Sequence, residues 1–224
     1  ILVTGNMGYV GPPVVQRLRA SRPAATLVGL DTGYFAHLLT APDVLPESRL
    51  DTQCFADVRA MPDALLRGVD GIVHLATPVI GSVTPPQDFT TNMQGLLNVL
   101  EAARLVGARR LTFASSSTLY SGLKEGPYRE DSLLPIDART STEAYKKASE
   151  SILFHYADRV GLSVAAVRPR AVYGPMYYSL VNLPGRLCHA AATGREPDYG
   201  PAGAPFAQDT GDFTNVKDCA QVFA

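Results

Sequence analysis

The chain has 224 residues, of which 46% are hydrophobic and 18% are charged. This balance is typical of a globular protein and excludes a disordered chain. The formal net charge of -1 provides no bulk attraction to nucleic acid or to an anionic membrane, so we expect neither as a partner. The length suits one good core, or one domain with part of a second.

The three cysteines, Cys54, Cys188 and Cys219, are scattered along the chain. Since no pair has the spacing of a metal site or a redox motif, we expect reduced thiols, no metal and a cytoplasmic location. No apolar run approaches the about 20 residues of a membrane span, and we expect no signal peptide. The chain begins within a strand-like run and ends in a helix-like pattern, so we interpret it as part of a longer protein.

Short β-branched runs alternate with longer helical patterns, which favours β-α-β units and a parallel sheet. Strands are predicted at residues 1–4, 26–31, 53–57, 71–76, 110–115 and 162–168. Helices are predicted at residues 14–20, 89–106 and 143–160, where apolar side chains recur at helical spacing. The sequence therefore predicts an α/β fold, a Rossmann-type doubly wound parallel sheet with helices on both faces.

A glycine-rich turn follows the first predicted strand and opens the first helix; its sequence is Thr4-Gly5-Asn6-Met7-Gly8-Tyr9-Val10-Gly11. Glycines are needed where such a turn is tight, where the backbone approaches a pyrophosphate, and where helix meets sheet. The helix N-terminus then offers free N–H groups to the phosphates. The same pattern also occurs in ordinary strand-to-helix loops, so the surrounding residues must show whether this turn binds phosphate.

Asp31 supplies that context, because it ends the second predicted strand 20 residues after Gly11. A carboxylate at this place accepts hydrogen bonds from the adenosine ribose hydroxyls. The next residues are Thr32 and Gly33, so no arginine directly follows Asp31 to bind the 2′-phosphate of NADP. The sequence favours NAD over NADP, and a solvated acid at a strand end is the alternative for Asp31.

Several further motifs are those of one enzyme family. They are Asp57-Val58, His74-Leu75-Ala76, Asn92, Asn98-Val99-Leu100, Ser115-Ser116-Ser117-Thr118-Leu119-Tyr120, and Arg168-Pro169-Arg170-Ala171-Val172-Tyr173-Gly174-Pro175. Together with the glycine turn, they make the chain resemble the extended short-chain dehydrogenase/reductase family, in its NAD-dependent epimerase/dehydratase group. The resemblance covers essentially the whole chain and is far more specific than the turn alone.

The resemblance implies that NAD is the cofactor and indicates which residues contact it. Asp57 and Val58 are expected at the adenine, and Asn92 is expected near the cofactor on the long helix, with a capping or turn-bonding asparagine as the alternative. The complete set of expected cofactor contacts is Gly5, Gly8, Tyr9, Val10, Gly11, Asp31, Asp57, Val58, Leu75, Ala76, Thr77, Asn92 and Lys146.

The catalytic residues are harder to assign. Ser116 matches the family's catalytic hydroxyl, which hydrogen-bonds the reacting oxygen of the substrate. The family also uses a tyrosine with a lysine four residues later on the same helix face, where the lysine charge lowers the pKa of the phenol. In the predicted helix around Tyr145 that spacing is absent: Ser149 lies four residues after Tyr145, and Thr142 lies four residues before Lys146.

In the register that we favour, Lys146 is the family lysine. Glu150 and Arg168 then fall at the family's spacing after it, and Thr142 occupies the tyrosine position. An aliphatic hydroxyl cannot serve as a neutral-pH acid or base in the way that a lysine-tuned phenol can. This register predicts NAD binding with proton transfer weakened or rerouted.

Two other arrangements stay open. Tyr145 could carry the proton if Lys146 or Lys147 acts from another face of the helix, or a tyrosine elsewhere, such as Tyr120 or Tyr173, could reach the site. The candidate catalytic residues are therefore Ser116, Thr142, Tyr145 and Lys146.

The resemblance implies hydride transfer at a carbon that bears a hydroxyl, with a nucleotide sugar as the favoured small-molecule substrate. Two features that help relatives hold such substrates are missing, because Ala171 and Gly211 stand where an asparagine and an arginine are common. A reductase or dehydrogenase of a non-nucleotide carbonyl compound, and a catalytically impaired NAD-binding sensor or scaffold, are the alternatives. The substrate and the reaction type stay open.

The amino-acid composition changes after residue 168, where Pro and Gly become frequent, and this change suggests a domain boundary. We expect an NAD-binding Rossmann domain at residues 1–168 and a small, incomplete substrate-binding region at residues 169–224, intertwined with it. The resemblance also implies a homodimer that pairs through the predicted helices at residues 89–106 and 143–160.

Overall fold

The computed structural model describes residues 1–40, 46–79, 81–124, 126–200, 203–206 and 208–224. Six strands form the main sheet: β1 (Leu2–Thr4), β2 (Val28–Asp31), β3 (Thr52–Phe55), β4 (Gly71–His74), β5 (Arg110–Ala114) and β6 (Ser163–Val167). All neighbours are parallel, in the order β3-β2-β1-β4-β5-β6. This is the strand order of the doubly wound Rossmann arrangement, so the predicted fold class is confirmed.

Five α-helices accompany the strands within these described ranges: α1 (Gly11–Ser21), α2 (Pro85–Val106), α3 (Ser141–Val160), α4 (Leu183–Thr193) and α5 (Val216–Phe223). Local signals set the ends of the two longest. Thr84 and Gln87 form a capping box at the start of α2, and Gly107, in the left-handed conformation, ends it. The helix thus begins four residues before the predicted start at residue 89, because Pro85 and Pro86 fit a first turn whose N–H groups have no partner.

The two faces of the sheet carry two separate hydrophobic clusters. On one face, α2 and α3 bury Leu96, Leu100 and Leu153 against Leu111 of β5. On the other face, α1 and α5 cover β1 and β4 with the fully buried or nearly buried side chains Val14, Val15, Leu18, Cys219 and Phe223. The main sheet therefore lies between two helical layers, which leaves the carboxyl ends of its strands open for a ligand.

The observed strands lie within two residues of the predicted limits, and the difference matters at one place. The third strand ends at Phe55, so Asp57 lies beyond it and not within a strand over residues 53–57 as predicted. Asp57 instead accepts a hydrogen bond from the backbone N–H of Arg59 and caps the one-turn helix Val58–Ala60. A side chain that can bond the backbone two residues later competes with continuation of the strand.

The region after residue 168 forms a two-stranded sheet from β7 (Val172–Tyr173) and β8 (Thr214–Asn215). It then returns to the main body, because α5 packs against α1. Its separate role in substrate binding stays a prediction. Among the described residues, no helix combines the length and the apolar composition that a membrane span requires.

Candidate active site

The glycine turn after β1 is fixed by close backbone contacts. Gly5 has a φ of +73°, and a Cβ there would lie 2.6 Å from the backbone N of Ala76. A Cβ on Gly11 would lie 2.3 Å from the carbonyl oxygen of Asn6. Only glycine fits at both positions, since distances below about 3 Å cannot be relieved against rigid backbone. The turn thus lies directly against the end of β4 and presents bare backbone to the cleft.

Asp31 joins this turn to the end of β2. Its Oδ2 accepts a hydrogen bond from the backbone N–H of Met7 at 2.9 Å, and its Oδ1 accepts one from Gly33 at 2.8 Å. The carboxylate is therefore oriented before any ligand binds, and it retains lone pairs for ribose hydroxyls. This position is the one that the Rossmann arrangement uses for that purpose.

A cavity of about 250 Å³ lies beside Asp31. Asp57, Val58 and Arg59 close one side of it, and its other lining residues include Gly5, Gly8, Leu30, Thr32, Leu75, Ala76 and Thr77. Arg59 was not anticipated from the sequence. Its guanidinium binds the Asp57 carboxylate at 2.6 Å. This side-chain hydrogen bond is the main reason that the pKa of Asp57 lies below its usual range. The bare turn, the oriented acid and this cavity fit the adenosine and pyrophosphate of a dinucleotide.

A second cavity, of about 580 Å³, continues from the glycine turn towards the chain's candidate catalytic residues. Ser116, Thr142 and Lys146 line it together with Gly5, Gly8, Tyr9 and Val10. Tyr145 is not among the described residues that line it; its ring packs edge to face against Phe89, with 6.1 Å between the ring centroids. The geometry thus brings together the residues of the favoured register, whose catalytic roles stay predictions.

Lys146 is buried, with 5% of its surface exposed. Its Nζ donates a hydrogen bond to the carbonyl oxygen of Ala114 at 2.7 Å and lies 4.7 Å from the centre of the Phe113 ring. Burial lowers the pKa of Lys146 to about 8. This lysine therefore loses its proton far more readily than a solvent-exposed lysine does.

Ser116 is the N-cap of the one-turn helix Ser117–Tyr120. Its Oγ accepts hydrogen bonds from the backbone N–H of Thr118 at 3.2 Å and from the Thr118 hydroxyl at 3.0 Å. Because its lone pairs are used in this way, its own proton is left to donate into the cavity. The neighbouring Ser115 lines the same cavity, and its buried Oγ has no partner in the described part of the chain.

Glu150 and Arg168 form a buried, two-pronged ion pair. The Arg168 Nε donates to Glu150 at 2.9 Å and its Nη2 at 2.6 Å, while its Nη1 donates to the Tyr120 hydroxyl at 2.6 Å. The pair fixes α3 to the end of β6 and agrees with the spacing that selects Lys146 as the family lysine. Tyr120 does not line the cavity of Lys146 within the described residues.

Asn92 lies near the cleft, but its side chain is used locally. It accepts a hydrogen bond from the Thr77 hydroxyl at 2.8 Å and donates to the backbone and side chain of Asp88 at 2.8 Å each. It is absent from the described linings of both cavities. The geometry matches the local hydrogen-bonding alternative, and a direct cofactor contact stays a prediction.

A segment after β7, not anticipated from the sequence, covers part of the second cavity. Tyr177 stacks on Tyr9 with 4.8 Å between ring centroids and forms a bridge with Leu39, while the Tyr178 N–H donates to Leu38 at 2.6 Å. Aromatic residues separated by 168 positions gave no local signal of this contact. Within the described ranges, no three His, Cys, Asp or Glu side chains are arranged to hold a metal ion.

Comparison with known proteins decides the family. A model of the NAD dependent epimerase/dehydratase family matches residues 1–223. The chain belongs to the NAD dependent epimerase/dehydratase family. The family and the NAD cofactor predicted from the sequence are thereby confirmed, and the residues at the glycine turn and Asp31 fit that cofactor.

Individual members of this family are similar to the chain. It is 29% identical over 238 residues to a UDP-glucose 4-epimerase of Mycolicibacterium smegmatis, which covers 99% of this chain and 71% of the relative. It is 30% identical over 182 residues to UDP-glucuronic acid decarboxylase 6 of Arabidopsis thaliana, which covers 78% of this chain and 51% of the relative. The chain thus spans about half to seven tenths of the length of these curated relatives.

A solved structure shares the fold over nearly the whole chain. It is the NAD dependent NDP-hexosamine 5,6-dehydratase TunA, involved in tunicamycin biosynthesis, with a TM-score of 0.80 and 26% identity. The match covers 98% of this chain and 69% of that structure. The similarity extends over both the main sheet and the region after residue 168.

Proposed function

We propose that the chain carries out NAD-dependent hydride transfer at a hydroxyl-bearing carbon of a nucleotide sugar, as an epimerase or a dehydratase. The observation that carries this proposal is the shared lining of one cavity by Ser116, Thr142 and Lys146, next to the glycine turn. The nucleotide sugar itself is supported by the relatives, which act on UDP-linked or NDP-linked sugars by name.

NAD, when bound, supplies the group that accepts and returns the hydride. Ser116 donates a hydrogen bond to the reacting oxygen and stabilises the charge that forms there. Lys146 Nζ, whose pKa burial lowers to about 8, accepts the proton that leaves the substrate hydroxyl. Thr142 lies one helical turn before Lys146 on the same face of α3, so its Oγ1 relays that proton.

This route differs from the tyrosine route of the family in one physical respect. The neutral amine is a minor species at pH 7, because its pKa of about 8 lies above that pH. Turnover is therefore slow at neutral pH and increases as the amine is deprotonated. A sensor or scaffold that binds NAD without turnover is the second candidate, favoured by Thr142 in the place expected for the phenol.

The assembly and location that we propose follow the sequence expectations. The paired helices α2 and α3 expose the large apolar side chains Phe89, Leu97, Ile152 and Phe154, and a homodimer would cover them. The three cysteines are free thiols, which supports a cytoplasmic location.

The decisive experiment incubates the NAD-loaded chain with UDP-glucose, UDP-glucuronate or dTDP-glucose. We expect a transient absorbance of reduced nicotinamide and a changed sugar, resolved by NMR, with at least one of them. Lys146→Met should remove both signals while the fold, measured by circular dichroism, is retained. Tight NAD binding with no reduced nicotinamide for any nucleotide sugar would instead favour the sensor.

A further inference from the structure

A third cavity opens beside Ser116, outside the dinucleotide cleft. Its volume is about 650 Å³, and it lies between the segment after β5, the segment before α3 and the turn after β6. Ser116, Pro169 and Asn182 line both this cavity and the one that holds Lys146. A ligand bound with its reacting oxygen at Ser116 therefore has direct access to this space.

The charged side chains in this cavity are all cationic. Lys124, Arg139 and Arg170 line it, and no acidic residue is present among the described residues of its lining. Two other arginines near the cleft are, by contrast, paired with carboxylates, Arg168 with Glu150 and Arg59 with Asp57. Cations without that neutralisation around one cavity produce a positive potential that attracts an anionic group.

None of the three cationic side chains makes a hydrogen bond or ion pair within the described part of the chain. Glu143 is the carboxylate whose pKa Arg139 helps to lower, but it is already bound to Lys147 at 2.8 Å. Their donors are therefore available to a ligand. Arginine matches carboxylate and phosphate oxygens with two parallel N–H donors, which gives both strength and orientation.

Neutral donors complete the lining. Two serines whose hydroxyls are not used elsewhere in the described structure, Ser117 and Ser121, line the same cavity as the three cations. Hydroxyl and guanidinium donors together can satisfy every oxygen of a carboxylate that is moved out of water. An uncharged sugar substituent would use the hydroxyls and leave the cations without a partner.

We infer that this cavity binds an anionic substituent of the substrate, a carboxylate on the sugar ring next to the reacting carbon. This inference rests on the proposed function, because it places the reacting oxygen of a nucleotide sugar at Ser116. The diphosphate of the nucleotide is the other anion with the same chemistry. The two anions can be distinguished by the choice of ligand. Every nucleotide sugar has the diphosphate, whereas only a nucleotide uronate also has the carboxylate.

The experiment measures binding of UDP-glucuronate, UDP-glucose and UDP to the NAD-loaded chain by isothermal titration calorimetry. We expect UDP-glucuronate to bind about tenfold more tightly than UDP-glucose, which is the gain typical of charge-assisted hydrogen bonds. Arg139→Gln and Arg170→Gln should each remove most of that preference, while the affinity for UDP-glucose changes by less than about twofold. Arg17→Gln, at an exposed arginine of α1, is the matched control and should change neither affinity.

Each other result overturns the inference in a recognisable way. Equal affinities for UDP-glucuronate and UDP-glucose would show that the cavity does not take the carboxylate, with the proposed function intact. An equal loss for all three ligands in the arginine variants would assign the cations to the diphosphate. Failure of all three ligands to bind the wild-type chain would remove the proposed function as well. Unchanged thermal denaturation of the variants confirms that folding is not the cause.

Discussion

The two ends of the dinucleotide cleft are built on different principles. At the adenosine end, backbone contacts of Gly5 and Gly11 and the doubly bonded carboxylate of Asp31 leave little freedom of conformation or of residue type. At the other end, Lys146 and Thr142 line an open cavity, and in the register that we favour an aliphatic hydroxyl stands where the family has a phenol. From this contrast we expect binding of the cofactor and transfer of a proton to be separable properties.

Loss of Lys146 should change turnover more than any other substitution at either end of the cleft. Lys146→Met removes the proposed proton acceptor without adding a charge to a buried site. We expect turnover to decrease by roughly 10²- to 10⁴-fold, the usual contribution of general acid–base catalysis. NAD affinity, measured by titration calorimetry, should change far less, since the adenosine end is untouched. A loss of NAD affinity as large as the loss of turnover would contradict the separation of the two ends.

Introducing a phenol at residue 142 tests the catalytic end of the cleft by an expected gain of turnover. Thr142→Tyr places a tyrosine one helical turn before Lys146, and we expect turnover at pH 7 to increase by about tenfold or more. Thr142→Val, of similar size without the hydroxyl, is the paired control and should decrease turnover. An unchanged rate in Thr142→Tyr would show that this position does not face the substrate.

A pair of glycine substitutions tests the adenosine end. Gly5 and Gly107 have similar φ values of +73° and +65°, but only at Gly5 does an added Cβ meet backbone. Both Gly→Ala variants should lose about 1–2 kcal/mol of stability from the left-handed conformation. We expect Gly5→Ala alone to lose further stability and to weaken NAD binding about tenfold, by titration calorimetry. Equal behaviour of the two variants would show that the close contact with Ala76 is not required.

The pH dependence of turnover provides a smaller effect with a definite sign. Because burial lowers the pKa of Lys146 to about 8, the neutral amine increases as the pH rises through that value. Turnover should therefore be half-maximal near pH 8 and level off about one pH unit above it. The same group makes the folded state more stable as the pH rises from about 8 to 10.5, since only the unfolded chain still binds the proton there. A rate that declines through pH 8 would require the charged lysine instead.

The smallest effect is expected at Tyr145. Its ring packs against Phe89 and lies outside the described lining of the cavity of Lys146. Tyr145→Phe keeps the ring contact and should change turnover by less than about twofold. Abolition of turnover in this variant, with Thr142→Val unaffected, would overturn the favoured register.

The sequence was sufficient for the features that depend on local rules. The parallel α/β sheet followed from alternating β and α patterns. The glycine turn and Asp31 were predicted from their spacing, because each requires a particular residue type at a particular place. The Arg59–Asp57 pair and the stacking of Tyr177 on Tyr9 were not predicted. Both depend on long-range packing or on the exact end of a strand, and neither leaves a periodic signal in the chain.

The three cations around the cavity beside Ser116 illustrate the same limit. Lys124, Arg139 and Arg170 are separated by 15 and 31 positions, and nothing in the sequence indicates that they lie together. The fold brings them together because the segments after β5 and β6 and before α3 meet at one edge of the sheet.

The contact between α5 and α1 bears on how the chain acquires its cleft during synthesis. Val14, Val15 and Leu18 of the first helix are covered by Cys219 and Phe223 of the last, and Phe223 also lines the cavity of Lys146. A nascent chain must therefore be extended past residue 223 before α5 can complete the cover of the first helix. Until then, the helix that carries the phosphate-binding turn is held by the sheet, on one side of its apolar face.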